Sequence, residues 1–244
     1  MTNLPAIKEV EIKATVEGAA ATAAAAAFEL QLSEAERQQI WFCESRTGIE
    51  NHRLALQEQK LILRLRKIPG DSDATVKLRS KHELPLDASW ADKFTIEGDW
   101  SGTNKMVSAS LKTNVADSMI DAAVPPGGKP GLGFTALQTE FLENGCTPPV
   151  EMADLAALGP VRAYKWSVKK LLPEPFEKVK LNFERWEIPN LAFLEFSVRV
   201  DYDLAPDAQK ELKRLLKSHG VTVDEDQQPK TSRVLRRLAG LPEA

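Results

Sequence analysis

The amino-acid sequence predicts a mainly β protein of the α+β class, in which one antiparallel sheet closes into a barrel with helices around it. Three observations predict it. Short runs in which charged and apolar residues alternate recur along both halves of the chain. In a strand successive side chains point to opposite faces, so each run carries one charged and one apolar face. Turn-forming clusters such as IPGDSD separate the runs, as in a meander of short strands. Helix-favouring segments stand near both ends of the chain, where they can cover the apolar face.

Taken in order, EVEIKATV from Glu9 to Val16 is the opening strand. The alanine-rich segment from Ala19 to Ile40, with Glu, Gln and Arg in its later part, predicts a packed surface helix. QQIWFCES, LALQEQKLILRLRKI, DATVKLRSKHEL and DKFTIEGDW read as strands. From about Ser101 to Leu158 the pattern turns helical and irregular, broken by Pro125, Pro126, Gly127, Gly128, Pro130, Gly131 and Gly133. Strands resume directly afterwards in VRAYKWSVKKLL, EKVKLNFERWEI and AFLEFSVRVDY, so residues 101–158 are an elaboration on one domain spanning 1–244. PDAQKELKRLLKSHG and TSRVLRRLAG then predict two amphipathic helices.

Composition sets wide bounds. The 244 residues are 43% hydrophobic and 27% charged, with a net charge of -3, values of an ordinary globular chain that can bury a sizeable core. The net charge argues against a general nucleic-acid binder and leaves room for a local basic cavity. Cys43 and Cys146 make neither a disulfide framework nor a metal-type pair, which points to a reducing cytoplasm. No apolar run approaches the length of a membrane span. His52, His82 and His219 are scattered without ligand spacing, and Trp41, Trp90, Trp100, Trp166 and Trp186 fit packing positions.

The charged faces carry the functional argument. Glu9, Glu11 and Lys13 share a face, as do Arg64 and Arg66, Lys77 and Arg79, Lys180, Asn182 and Glu184, and Glu195, Ser197 and Arg199. A half-wet sheet would present such faces to solvent. Here acidic residues gather on the first and the last two strands and basic pairs on the strands between, a partition that a solvent-facing sheet has no reason to keep. In a closed barrel these faces turn inward. A lumen with carboxylates on one wall and Arg and Lys on the others suits a divalent cation bound together with a phosphate chain, because carboxylates are hard oxygen ligands and guanidinium forks grip phosphate oxygens. No Ser-His-Asp or Cys-His arrangement suggests a covalent nucleophile.

ExExK at Glu9, Glu11 and Lys13, LRLR at Leu63 to Arg66, TVK at Thr75 to Lys77 and the late FLEF together resemble the CYTH superfamily, the triphosphate tunnel metalloenzymes. The resemblance runs from Glu9 to about Arg233. It implies an eight-stranded antiparallel barrel forming a tunnel, and Mg²⁺ or Mn²⁺ held by acidic residues, which carry over to Glu9, Glu11, Glu184 and Glu195. It implies triphosphate contacts at Lys13, Arg64, Arg66, Lys77 and Lys230, with Arg79 beside them and with Lys165 or Arg162 filling a further basic position. Lys13, Arg64 and Arg66 are the expected catalytic side chains. Two positions depart from the family pattern: Ser197 stands where the final acidic pair has its second carboxylate, and Cys43 where an aspartate is usual.

The implied activity is metal-dependent hydrolysis of a phosphoanhydride bond in inorganic triphosphate, thiamine triphosphate or a nucleoside triphosphate. Cyclisation of ATP to cyclic AMP is the alternative in the same architecture, and a polyphosphate or nucleotide sensor is the non-catalytic one. Stacking aromatics do not interleave the basic residues, which disfavours RNA as a partner. Monomer and homodimer are both open.

Overall fold

The computed structural model describes residues 6–225 and 229–242. Among these residues there are nine strands: Glu9–Glu17 (β1), Glu36–Ser45 (β2), Leu61–Lys67 (β3), Asp73–Ser80 (β4), Thr95–Ser101 (β5), Asn104–Asn114 (β6), Leu155–Val168 (β7), Leu181–Ile188 (β8) and Leu191–Asp201 (β9). They close into a barrel in the order β1-β5-β6-β4-β3-β2-β7-β8-β9. The α-helices are Gly18–Ala27 (α1), Arg46–Glu50 (α2), Ala55–Glu58 (α3), Ala88–Ala91 (α4), Asp117–Ala123 (α5), Ala136–Glu140 (α6), Ala205–Ser218 (α7) and Lys230–Leu238 (α8). None of the described helices is long and apolar enough to cross a membrane.

The expected barrel of eight antiparallel strands is corrected to nine strands in a mixed sheet. A closed ring with an odd number of strands cannot alternate direction throughout, and the one parallel neighbour pair is β1 with β5. The extra strand is β6, which lies inside the stretch expected to be helical. Its Met106, Ser108, Ser110 and Lys112 alternate with Val107, Ala109 and Leu111, but small Ser and Ala residues mask the period. The true elaboration starts after β6. Its helix α5 lays Ile120 and Ala123, and the π-helical turn Phe141–Gly145 that follows α6 lays Phe141 and Leu142, onto the outer side of β3, β4 and β6.

Two other expectations shift. The N-terminal helix ends at Ala27, not Ile40. Glu29 takes a left-handed φ of 53°, and the Leu30 amide closes back on the Ala25 carbonyl at 3.0 Å, a Schellman-type stop. Glu36–Ile40 therefore belongs to β2. Ala55–Glu58 is helical rather than extended, which delays β3 to Leu61.

Three apolar clusters hold the barrel. One lies outside β1, β8 and β9, where Val10, Ile12, Phe183, Phe196 and Val198 meet Ala21, Ala24 and Ala25 of α1 and Ala208, Leu212 and Leu216 of α7. The alanines sit at i, i+3 and i+4, so one stripe of the smallest side chains lets α1 approach the sheet closely. A second covers the opposite outer wall. The third lies within one end of the barrel, where inward-facing Ile40, Phe42, Ala163, Trp186 and Phe193 pack on Val234 and Leu235 of α8. That helix is a plug, and the tunnel has a floor.

Phe196 is fully buried and touches the rings of Phe28 and Phe183 at centroid distances of 5.3 and 5.4 Å. Phe196→Ala should cost about 3–5 kcal/mol in urea denaturation; a loss below about 1 kcal/mol would contradict its place in this core.

Candidate functional site

The lumen above the floor is a cavity of about 460 Å³ lined by nine Lys and Arg side chains against five carboxylates. Strand alternation puts them there: with Val10, Ile12, Leu63, Leu65, Val76 and Leu78 committed to the outer clusters, the charged residues between them must face inward. Lys112 and Arg199, with side chains 45% and 49% exposed, mark the mouth. Lys13, Arg66 and Arg79 lie deeper at 12–14%.

The cations are organised by carboxylates. Asp99 on β5, 2% exposed, accepts from Lys13 at 3.1 Å, from Lys77 at 3.4 Å and from Arg79. Burial opposes its charge, yet Lys13, Arg79 and Lys77 together hold its pKa well below the ordinary aspartate value. Burial likewise opposes the Lys13 ammonium, and Asp99, Glu11 and Glu195 outweigh it and raise its pKa. Lys77 moves the other way, lowered by burial, with repulsion from Lys13 and Arg79 adding to it.

Asp73, fully buried at the start of β4, holds the LRLR arginines. Its Oδ2 lies 2.6 Å from Arg66 Nη2, its Oδ1 3.2 Å from Arg64 Nη2, and Lys112 stands 3.6 Å away. Burial and the neighbouring Arg66 lower the Arg64 pKa, and the buried Arg64 Nε has no acceptor among the described residues. At the mouth Arg199 reaches Glu97 at 2.8 Å and Glu11 at 3.9 Å, while Glu11 also pairs with Lys13 at 2.8 Å.

Near the floor Glu184 and Glu195 are register partners on β8 and β9. The Lys230 ammonium bridges them at 3.3 and 3.2 Å and sits 3.7 Å from the centre of the Trp186 ring. Burial opposes the Glu184 charge, but Lys230 leads the influences that lower its pKa to about 2. Lys165, register partner of Glu184, has no carboxylate within ion-pair distance among the described residues.

Of the residues expected from sequence, Glu11, Lys13, Arg64, Arg66, Lys77, Arg79, Lys165, Glu184, Glu195 and Lys230 meet in this lumen. Glu9 stands exposed at the first residue of β1, and Arg162 is exposed on β7, both outside the lining. Ser197 faces the lumen, whereas Cys43 is buried in the outer cluster and Phe42 takes the inward position. Sequence reasoning missed Asp73, Glu97 and Asp99. The signal was available: Glu97 and Asp99 alternate in IEGDW, and Asp73 is one period before Thr75 and Lys77 in DATVK.

Among the described residues no three His, Cys, Asp or Glu side chains converge as a complete metal cage. The facing pair Glu184 and Glu195 still fits Mg²⁺ or Mn²⁺, since such ions use one or two carboxylates and take their remaining ligands from water and substrate phosphates.

Two outcomes follow from the ion-pair design. Asp99→Ala removes the shared partner of three buried cations, leaving Arg79 without a carboxylate and Lys13 and Lys77 with only Glu11 and Glu97, and should cost about 3–5 kcal/mol in denaturant titration; an unchanged midpoint would refute the arrangement. Glu11, Asp73, Asp99 and Glu184 all have folded pKa values below the ordinary 4.5 or 3.8. Their contribution is present above those values and lost as pH falls through the folded ones. Glu44, raised by burial, runs the opposite way, one group against these four and Glu58, Asp87 and Asp154, which are lowered too. Stability should therefore fall between pH 4.5 and about 2, and a flat urea midpoint across that window would count against the network.

No family model and no curated protein matches the chain. Solved structures do. HpAC1 from Hippeastrum, a candidate adenylyl cyclase described as having a dominant triphosphatase activity, superposes with a TM-score of 0.64 at 12% identity, covering 97% of this chain and 98% of that one. A candidate adenylate cyclase of Bacillus halodurans gives 0.56 at 12% identity, covering 93% and 97%. At such identity the likeness shows the fold alone, a closed barrel with helices around it; Glu11 and Lys13 of ExExK, Arg64 and Arg66 of LRLR and Thr75 and Lys77 of TVK line its lumen, which fits the resemblance to the CYTH superfamily.

Proposed function

We propose that the protein is a divalent-cation-dependent triphosphatase that hydrolyses a phosphoanhydride bond inside its barrel. The observation that carries this reading is the convergence of nine cations on one lumen, more than its five lining carboxylates and the buried Asp73 behind them neutralise. A buried surplus of positive charge with an unpartnered guanidinium N–H calls for an anion of several charges. The Hippeastrum structure's reported triphosphatase activity supports the same class.

Phosphoryl transfer asks for alignment and charge stabilisation more than for covalent help. Arg64 and Arg66, aimed by Asp73, grip non-bridging phosphate oxygens with paired N–H donors. Lys13, Lys77 and Arg79, gathered by Asp99, neutralise charge spreading over the transferred phosphoryl group and the leaving phosphate chain. The water oxygen forms the new P–O bond as the anhydride P–O bond breaks, and the lumen walls keep other water away. Glu184 and Glu195, with Glu11 nearer the mouth, would hold Mg²⁺ or Mn²⁺, which supplies further charge neutralisation. Glu9 and Arg162, exposed and off the lining, have secondary parts at most in this reading.

A second reading, cyclisation of ATP, is favoured by the cyclase descriptions of both structural neighbours. Phosphate release from inorganic triphosphate, thiamine triphosphate and ATP with Mg²⁺, Mn²⁺ or chelator separates the two. Metal-dependent release is expected, lowered about a hundredfold in kcat/KM by Arg66→Ala and strongly by Glu11→Ala. Cyclic AMP from ATP in place of phosphate would transfer the assignment to the cyclase. Triphosphate bound but returned intact under every condition would make the protein a binding module.

A further inference from the structure

We infer that Lys230 is a built-in counter-cation that occupies the Glu184–Glu195 pair, and that a divalent cation must displace it to bind there. The inference rests on the metal-dependent reading above and specifies how the site is kept before ligand arrives. Register places the two carboxylates side by side on neighbouring strands, where two like charges without a cation repel. Lys230 removes that repulsion from the first turn of α8, with one ammonium shared between Glu184 Oε2 and Glu195 Oε1.

Its ammonium is shared and its helix is anchored without it. The 3.3 and 3.2 Å separations are those of a single cation divided between two carboxylates, neither held at the 2.6 Å of Arg66 to Asp73 although they match the 3.2 Å of Arg64 to Asp73. The helix is fixed by Ser232 to Gln57, by Arg233 to Glu17 and by the packing of Val234 and Leu235. The Lys230 side chain is a single charge on a flexible four-carbon stem, so it can leave the pair while the helix stays. The Trp186 face at 3.7 Å gives the ammonium a seat that needs no carboxylate.

Displacement by metal alone leaves a buried ammonium short of a partner, and a phosphate chain in the lumen restores one. Metal and polyphosphate therefore bind with positive coupling through Lys230, and the coupling is reciprocal. Lys165, on the other side of Glu184, carries no such bond to break, so it is available to the anion from the start.

The test is binding of Mn²⁺ alone, followed by the loss of its free-ion paramagnetic resonance signal, to the full chain and two variants whose folding is checked by thermal melting. Lys230→Met should bind Mn²⁺ roughly tenfold tighter than the wild type, within the usual span of coupling between sites of about 5–150-fold. Lys230→Arg, whose fork can bond both carboxylates, should bind it more weakly. Equal affinity in the wild type and Lys230→Met, or tighter binding by Lys230→Arg, overturns the displacement while leaving metal-dependent hydrolysis standing. No uptake of Mn²⁺ by any of the three proteins overturns the metal-dependent reading together with this inference. If Lys230→Met does not fold, the Lys230→Arg comparison decides alone.

Discussion

A charge inside a closed barrel cannot keep its water, so it must be met by another charge or a hydrogen bond within reach. This constraint governs the placement of nearly every polar side chain in the lumen. Asp73 gathers three cations from the strands on either side of it, Asp99 gathers one from β1 and two that reach across from β4 beyond β6, and Glu184 and Glu195 share one from the plugging helix. The carboxylates thus do two kinds of work. Those at the centre of three cations fix long side chains in one geometry, while those sharing a single ammonium are the pair where we infer exchange with a metal ion.

Steric demands follow from the electrostatic ones. Ser108 and Ser110 of β6 are the register partners of Arg79 and Lys77 of β4, and a larger residue at either would compete with those side chains for the lumen. The outer faces meet the opposite demand, since the strands must bury apolar residues against α1, α7 and the helical elaboration for the charged faces to be forced inward. Dispersion and hydrophobic burial outside the wall therefore hold the charges together inside it.

The alternation of charged and apolar residues made most of this legible before any coordinates. Glu11, Lys13, Arg64, Arg66, Lys77, Glu184 and Glu195 lie where period two puts them, and Lys230 lies where the family resemblance puts it. What escaped was the part of the pattern without strong chemistry of its own. The strand β6 was hidden by Ser and Ala, whose small side chains carry almost no hydrophobic period. Asp73, Glu97 and Asp99 sat in strands already assigned, but the expected separation of acidic from basic strands turned attention away from them. Their role depends on strand order, which places β5 between β1 and β6 and β4 between β6 and β3, and no local pattern encodes that order. The parallel contact of β1 with β5 is likewise a property of the closed ring.

The floor made by Ile40, Trp186, Phe193, Val234 and Leu235 gives the barrel the topology of a cup among its described residues. A chain of phosphates longer than the cup is deep has to leave its excess outside, beyond Arg199 and Lys112 at the rim. Only a terminus can reach the deepest cations, so an interior bond of a long polymer stays out of register with them. On the proposed triphosphatase reading, whatever is cut free at the bottom also shares its way out with the next arrival, which makes the rim a one-lane passage for both.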